Sequence, residues 1–326
     1  MVEFFTQLGY KMLAAFISLV FAFTPYVAPA TNDPIEGNAE NGANMTVVAW
    51  ADPQFSNYMA KRFQPFNAAC EDLSNAGKGV DALLIAGDIA ENGLACEYEY
   101  ISEKLASANV GGYMMAVGNH DVRLRSYKQV VNRFTAFANE LNAGKDNDFT
   151  MNALHYTYNV NGYTFIVLGT DTAEFEESYF NEAQLSWLDS ELAKATAKGK
   201  PAFVVCHQSL KDTHGLPDTW NSTDDRAGTI GEQSDEIKAI LNKYENVIMI
   251  SGHLHTGLGQ YTYQKIDNFH SINLPSTTIV NKDGDYNNAG IGFMIEAYNN
   301  HVLFRARDFA QGKYIPEYEI DIKHSK

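Results

Sequence analysis

Cysteine is scarce in this sequence: only three occur in 326 residues, at Cys70, Cys96 and Cys206. So few cysteines exclude a fold that depends on a framework of disulfide bonds. An exported chain could form a bond between Cys70 and Cys96, and buried free thiols are the alternative. Cys206 ends the apolar run that begins at Phe203, and we expect it to pack in the core.

Positive charge is also scarce, since 24 Lys and Arg face 40 Asp and Glu, for a formal net charge of −16. This balance repels polyanions at long range and therefore argues against general nucleic-acid binding. A small anionic ligand remains compatible with it, because bound metal ions reverse the field locally.

Long hydrophobic runs are lacking as well. The apolar run Met12–Phe23 follows Lys11 and precedes Ala28-Pro29-Ala30. About a dozen residues fall short of the roughly 20 that a membrane-spanning helix needs. The pattern predicts a signal peptide over residues 1–30 that is cleaved before Thr31, with an uncleaved anchor as the alternative. We therefore expect a secreted, extracytoplasmic protein with no stable membrane span after cleavage.

Two segments follow the signal. Residues 31–44 are rich in Asn, Gly, Ala and acidic residues, which predicts a flexible leader. In residues 45–322 short apolar runs alternate with helical patterns, which is typical of a single layered α/β domain. The predicted strands are 46–51, 82–86, 112–117, 163–169, 202–206, 247–251, 292–298 and 301–307. The predicted helices are 58–73, 97–108, 126–141, 182–198 and 234–243.

Polar residues that can bind metals follow five of the predicted strands. They are Asp52 and Gln54, then Asp88, then Asn119, His120 and Asp121, then His207, and finally His253 and His255. Ligands bind at the carboxyl edge of open α/β sheets, so we expect these side chains to converge. Residues i and i+2 of an extended segment face the same way, which pairs Asp52 with Gln54 and His253 with His255. A single such residue is usually a turn or a cap, whereas the whole set indicates a metal site.

This series of motifs resembles the calcineurin-like metallophosphoesterases, over about Met45 to Asp321. The resemblance rests on Asp52-x-Gln54, Gly87-Asp88, Gly118-Asn119-His120-Asp121, His207 and Gly252-His253-x-His255. The resemblance implies a four-layer αββα sandwich of two mixed sheets flanked by helices. It also implies a dinuclear phosphoesterase that cleaves a small phosphodiester or phosphomonoester by attack of a metal-bound hydroxide.

The resemblance assigns roles to each residue. Asp88 would bridge two divalent metal ions. Asp52, Gln54 and His255 would complete one site, and Asn119, His207 and His253 the other. His120 would face the substrate as a general acid or transition-state stabiliser, and Asp121 would orient it.

Gln54 departs from the family pattern, which usually has histidine there. Its amide oxygen would give the first site three oxygen donors and one nitrogen, which favours Mn or Fe and leaves Zn or Mg possible. A Gln54 that supports the site without binding metal is the alternative. At the level of function, the alternatives are a secreted binding module that keeps the metals without catalysis, and a broad-specificity phosphatase.

Six further residues are candidates for substrate contact, with ordinary surface placement as the alternative for each. They are Arg123, Arg125 and Lys128 after the Asn119 motif, and His214, Trp220 and Arg226 in the long segment 208–232.

Overall fold

The computed structural model describes residues 33–145 and 149–324. The predicted signal peptide lies outside this range. The helices are α1 (Asn38–Asn41), α2 (Ala60–Ser74), α3 (Ala95–Leu105), α4 (Asn119–Val122), α5 (Tyr127–Asn142), α6 (Glu182–Thr196) and α7 (Ser234–Leu241). Single 3₁₀ turns cover Asp218–Trp220 and Pro316–Tyr318. None of the helices in the described ranges is long and apolar enough to cross a membrane.

The strands form two mixed sheets. The first sheet's strands are β1 (Met45–Trp50), β2 (Ala82–Ala86), β3 (Tyr113–Ala116), β10 (Ile291–Ala297), β11 (His301–Asp308), β12 (Lys313–Tyr314) and β13 (Ile320–Lys323). The second sheet's strands are β4 (Tyr156–Val160), β5 (Tyr163–Val167), β6 (Ala202–Val205), β7 (Val247–Ser251), β8 (Tyr263–Ile266) and β9 (Phe269–Asn273). The first sheet has the order β12-β11-β10-β1-β2-β3, with β13 beside β11, and the second has the order β4-β5-β6-β7-β9-β8.

Side chains of the central strands alternate between the two faces of a sheet, which explains why the sheets and helices form separate layers. In β6, Phe203 and Val205 join the large apolar cluster that fills the space between the sheets, whereas Val204 joins a second cluster with the leucines of α6. Successive side chains of a strand point to opposite faces, so a strand buried on both faces must be apolar throughout. The large cluster also includes Phe63 of α2 and Ile101 of α3. The predicted sandwich of two mixed sheets flanked by helices is confirmed.

Parallel pairing places the carboxyl ends of neighbouring strands at the same edge of each sheet. In the first sheet β1, β2 and β3 run parallel, and in the second sheet β5, β6, β7 and β9 run parallel. Within each sheet, hydrogen bonds join neighbouring strand ends, since Gly252 N donates to His207 O at 2.9 Å and Asp52 N donates to Gly87 O at 3.1 Å. Between the sheets, His253 N donates to Asp52 Oδ2 at 2.9 Å. The segments after β1, β2, β6 and β7 are therefore fixed to one another.

Residues 33–44 are not the flexible leader that their composition predicts. Ile35 is buried in the main apolar cluster, with 2% of its surface exposed. Gly77 N donates to Ile35 O at 2.7 Å, and Asn38 N donates to Gly79 O at 3.1 Å. The small residues allow this close packing, since a Cβ on Gly37 would lie 2.0 Å from Lys78 O. The prediction missed that one buried isoleucine and many backbone hydrogen bonds offset the polar composition.

A buried ion pair fastens α2 to the first sheet. Arg307 of β11 is fully buried and donates from Nε to Asp72 Oδ2 at 2.8 Å and from Nη2 to Asp72 Oδ1 at 2.7 Å. Its guanidinium carbon lies 4.7 Å from the centre of the Tyr314 ring. Two parallel charged hydrogen bonds fix the geometry of this pair.

Replacing only one partner of this pair should be costly. We expect Arg307→Met to lower the free energy of unfolding by about 3–5 kcal/mol, because Asp72 would remain buried without its cation. The double variant Asp72→Leu/Arg307→Met should recover most of that loss. Urea unfolding of the three proteins measures this, and a double variant no more stable than the single one would contradict it.

Candidate functional site

The backbone at the strand ends adopts an uncommon conformation. Five of the seven predicted metal ligands have positive φ: Asp52 (49°), Gln54 (37°), Asp88 (50°), His253 (71°) and His255 (50°). Residues other than glycine rarely adopt this left-handed region, and such residues cluster at functional sites where the surrounding structure holds them. Here Gln54 N donates to Asp88 O at 2.7 Å, which fixes two of these residues together.

Glycines allow the donor side chains to approach the backbone closely. A Cβ on Gly118 would lie 2.1 Å from Asp88 Oδ1 and 2.3 Å from Asp88 N. A Cβ on Gly87 would lie 2.4 Å from His207 Nδ1, and φ at Gly87 is +91°. Both motif glycines are therefore required by the lack of space around the site.

One half of the donor cluster surrounds the Asp88 carboxylate. His207 Nε2 lies 3.3 Å from Asp88 Oδ2 and 3.1 Å from Asn119 Oδ1. Gln54 Nε2 donates to Asp88 Oδ2 at 3.0 Å. All four side chains are buried, so these polar groups satisfy one another instead of contacting bulk water.

The other half surrounds Asp52. His255 Nε2 lies 3.1 Å from Asp52 Oδ1, and His253 N donates to Asp52 Oδ2 at 2.9 Å. Asp52 Oδ1 also lies 3.8 Å from His207 Nε2, which connects the two halves. The structure thus brings all seven predicted ligands together.

The donor atoms fit a cation. Asp88, His207 and His253 each offer an atom within 4.8 Å of the others. Within the described part of the chain, the buried Nε2 of His253 has no hydrogen-bond partner. His207 Nδ1 lies 2.8 Å from Ala86 O, so this nitrogen donates outward and Nε2 faces the cluster. A buried imidazole nitrogen without a hydrogen-bond partner, close to a carboxylate and to a second histidine, is typical of a metal site.

The electrostatics of the cluster also favour a cation. Burial alone would raise the pKa of Asp88, but the neighbouring His207, His120 and His253 outweigh it and hold that pKa below its usual range. Burial would lower the pKa of His207, yet the charges of Asp88 and Asp52 raise it to about 9. Burial and the His207 charge hold the pKa of His253 well below its ordinary value, which leaves that imidazole neutral and able to bind metal.

His120 is oriented by Glu91, a residue that the sequence analysis missed. His120 Nδ1 lies 3.0 Å from Glu91 O and 3.4 Å from Glu91 Oε1. The Glu91 carboxylate also pairs with Arg62 Nη1 at 2.5 Å and with Arg123 Nη1 at 3.3 Å. Its position three residues after Asp88 is the one sequence signal that could have indicated it.

Asp121 does not have the predicted role of orienting His120. Its carboxylate accepts hydrogen bonds from Ile89 N at 3.2 Å, Ala90 N at 3.0 Å and Gly118 N at 3.0 Å. The Tyr98 hydroxyl donates to it at 2.8 Å. Asp121 is buried, and its carboxylate therefore fixes the backbone directly after Asp88 and directly before Asn119.

The other candidates divide into two groups. Arg123 Nη1 lies 2.8 Å from His120 Nδ1, and the Trp220 ring stacks on His253 with centroids 4.6 Å apart, so both border the cluster. His214 is buried away from it, between Tyr261 O and Ser271 Oγ. The remaining residues lie elsewhere: Arg226 pairs with Glu177, Arg125 Nη1 donates to Leu124 O, and Lys128 is exposed on α5.

The cysteines are free thiols in the structure. Cys70 and Cys206 are buried and Cys96 is half-buried. Burial raises the pKa of the Cys206 thiol to about 12, so this residue packs in the core as expected.

Comparison with known proteins identifies similar chains. The profile of the calcineurin-like phosphoesterase family matches residues 45–257. A 3',5'-cyclic-nucleotide phosphodiesterase of Nostoc sp. (strain PCC 7120) is 26% identical over 215 residues, which are 66% of this chain and 69% of that protein.

Two solved structures share the fold. A dimetal phosphatase from Danio rerio aligns with a TM-score of 0.60 and 13% identity over 87% of this chain and 100% of its own. Purple acid phosphatase PPD1 from yellow lupin seeds aligns with a TM-score of 0.56 and 13% identity. That alignment covers 86% of this chain and 53% of the lupin chain.

Because Gly118 lies close to Asp88, we expect its replacement to weaken metal binding selectively. Gly118→Ala should displace Asp88 and lower metal affinity by about 10- to 100-fold, the range observed when residues that support metal ligands change. Competition with a chelator for Mn²⁺ measures this. In the matched control, Gly199→Ala adds a Cβ where nothing lies within 4 Å, at φ +69°, and should leave affinity unchanged. Equal affinity in both variants would contradict the role of Gly118.

Proposed function

Because this chain belongs to the calcineurin-like phosphoesterase family, it is a metal-dependent phosphoric ester hydrolase, and we propose that it hydrolyses phosphodiesters with two divalent metal ions. The convergence of seven donor side chains around Asp88 and Asp52 carries this proposal.

We further propose that the protein acts outside the cytoplasm, since residues 12–30 have the pattern of an export signal. N-terminal sequencing of exported material should then find Thr31 first, and an N-terminus at Met1 would refute cleavage.

In this proposal the donors would divide between two ions, with Asp88 common to both. Asp52, Gln54 and His255 would hold one ion, and Asn119, His207 and His253 the other. When bound, such ions supply the positive charge that activates water and neutralises phosphate oxygens. Two divalent ions would bring four positive charges, whereas Asp52 and Asp88 carry only two negative charges. The loaded site would therefore attract an anionic ester, although the protein as a whole is acidic.

His120 is the proposed proton donor to the leaving alcohol. Its Nδ1 is turned towards Glu91, which leaves Nε2 to face the cluster, 3.9 Å from Asp88 Oδ2. Burial alone would lower the pKa of His120, but the hydrogen bond with Glu91 and the charge of Asp88 raise it above the ordinary value. A protonated imidazole held at this position can protonate a poor alkoxide leaving group.

The proposed substrate class rests on this proton donor and on one relative. Diesters with alkoxide leaving groups gain most from general-acid catalysis. The Nostoc relative is described as a cyclic-nucleotide phosphodiesterase, which is consistent with diester hydrolysis. The arrangement around His120 argues against a module that binds metals without catalysis. Two charged groups, Glu91 and Arg123, converge on this imidazole, which binds no metal in this assignment.

A direct comparison of substrates tests the proposal. With Mn²⁺, the purified protein should hydrolyse bis(p-nitrophenyl) phosphate with a higher kcat/KM than p-nitrophenyl phosphate. A reversed preference would favour the broad-specificity phosphatase. Absence of turnover on both substrates with Mn²⁺, Fe²⁺, Zn²⁺ and Mg²⁺ would refute the proposed enzyme.

Removing the proton donor should affect substrates unequally. We expect His120→Ala to lower kcat by about 10²–10⁴ for diesters with alkoxide leaving groups. The loss should be smaller for p-nitrophenyl esters, whose leaving group needs little protonation. Metal content should stay unchanged, because His120 is not among the proposed ligands. An equal loss on both substrates would assign His120 to charge stabilisation or positioning.

Gln54 should set the metal preference of the first site. If its amide oxygen binds metal, that site favours Mn²⁺ or Fe²⁺, and Gln54→His should shift the preference towards Zn²⁺. Gln54→Ala should lower bound metal from two ions to about one per chain, with Gln208→Ala, outside the cluster, as a control. Metal analysis after loading with each ion measures both effects. Unchanged stoichiometry and preference in both variants would show that Gln54 only hydrogen-bonds Asp88.

A further inference from the structure

An exposed phenylalanine borders the catalytic histidine. The Phe175 side chain is 41% exposed, although its ring lies edge-on to His120 with centroids 5.6 Å apart. Exposing a large aromatic ring forgoes the stabilisation that burial would give. An exposed ring placed against a reactive side chain therefore suggests a binding role.

The Arg123 guanidinium packs against the Phe175 ring. The guanidinium carbon of Arg123 lies 5.4 Å from the centre of the Phe175 ring. Arg123 is itself held by Glu91 at 3.3 Å and lies 2.8 Å from His120 Nδ1. The ring is therefore fixed relative to the imidazole, and because it remains partly exposed, it offers an open surface to a ligand.

The segment that follows Phe175 is also fixed. Gln208 Nε2 donates to Glu176 O at 3.0 Å, and Ser178 Oγ donates to Gln208 Oε1 at 2.7 Å. Glu177 pairs with Arg226 at 2.5 Å. These contacts join the Phe175 segment to the segment after His207, so the ring is organised before any ligand binds.

Trp220 does not offer an equivalent surface. Trp220 is half-buried, stacks on His253 at 4.6 Å and has the Lys282 ammonium 5.6 Å from its ring centre. Tyr179 is 45% exposed and lies four residues along the chain from Phe175. Among the exposed large apolar side chains of the described residues, Phe175 is the one whose ring contacts the His120 ring.

We propose that Phe175, backed by Arg123, is a stacking platform for a planar aromatic group attached to the substrate phosphate, such as a nucleobase. This inference rests on the proposed function, because it takes the phosphate to lie beside His120. Stacking of a base on an aromatic side chain improves affinity by about 5- to 150-fold. The platform would select esters of nucleosides over esters of aliphatic alcohols.

Calorimetric binding of two phosphate compounds tests the platform without turnover. Adenosine 5'-monophosphate and ribose 5-phosphate share the sugar phosphate and differ by the base. In Mn²⁺ buffer, the wild-type protein should bind the nucleotide at least about fivefold more tightly. Phe175→Leu should abolish this difference while leaving the Kd of ribose 5-phosphate unchanged, and Phe175→Trp should retain it. Tyr179→Leu, a matched exposed aromatic of the same segment, should behave as wild type.

Three outcomes would overturn the platform: a wild-type protein that does not distinguish the two compounds, a Phe175→Leu variant that still does, or equal weakening of both compounds in that variant. The last result would mean that Phe175 only positions His120. The proposed function is tested separately, by turnover of phosphate esters. A protein without that turnover could still bind adenosine 5'-monophosphate more tightly than ribose 5-phosphate.

Discussion

The buried carboxylate of Asp88 is the group around which the site is arranged. Asp88 Oδ2 lies within 3.3 Å of both His207 Nε2 and Gln54 Nε2, and Asp88 Oδ1 accepts from His120 N at 2.8 Å. One buried anion thus contacts three neighbouring segments and fixes the backbone that carries the proposed acid. Its burial is tolerated because histidines surround it, and these same histidines are the donors that a metal ion needs.

The two sheets make this arrangement possible by bringing their parallel strand ends together. Left-handed conformations at Asp52, Asp88 and His253 turn the chain sharply where each strand ends. Such conformations cost free energy, roughly 1–3 kcal/mol each, and persist only where the surroundings hold them. Hydrogen bonds between strand ends and the support of Asp121 beneath Ile89 and Ala90 provide that restraint.

Much of the fold, and the convergence of the seven proposed donor side chains, could be predicted from the sequence, because both depend on local patterns. Apolar runs marked the central strands, and the motif order indicated which strand ends converge. The role of Glu91 could not be predicted, since it depends on the three-dimensional proximity of Arg62, Arg123 and His120. Asp121 was assigned a role from its neighbour in sequence, whereas its hydrogen bonds lead to Ile89, Ala90 and Gly118. Residues 33–44 were misjudged because composition does not reveal that Ile35 enters the core.

We propose that Asp88 is shared by two metal ions. Crystals grown with Mn²⁺ and measured at the manganese absorption edge test this proposal. Two anomalous peaks roughly 3.5–4 Å apart should appear. Asp88 should lie between them, with Asp52 and His255 at one and His207 and His253 at the other. A single peak, or two peaks of which only one contacts Asp88, would contradict it.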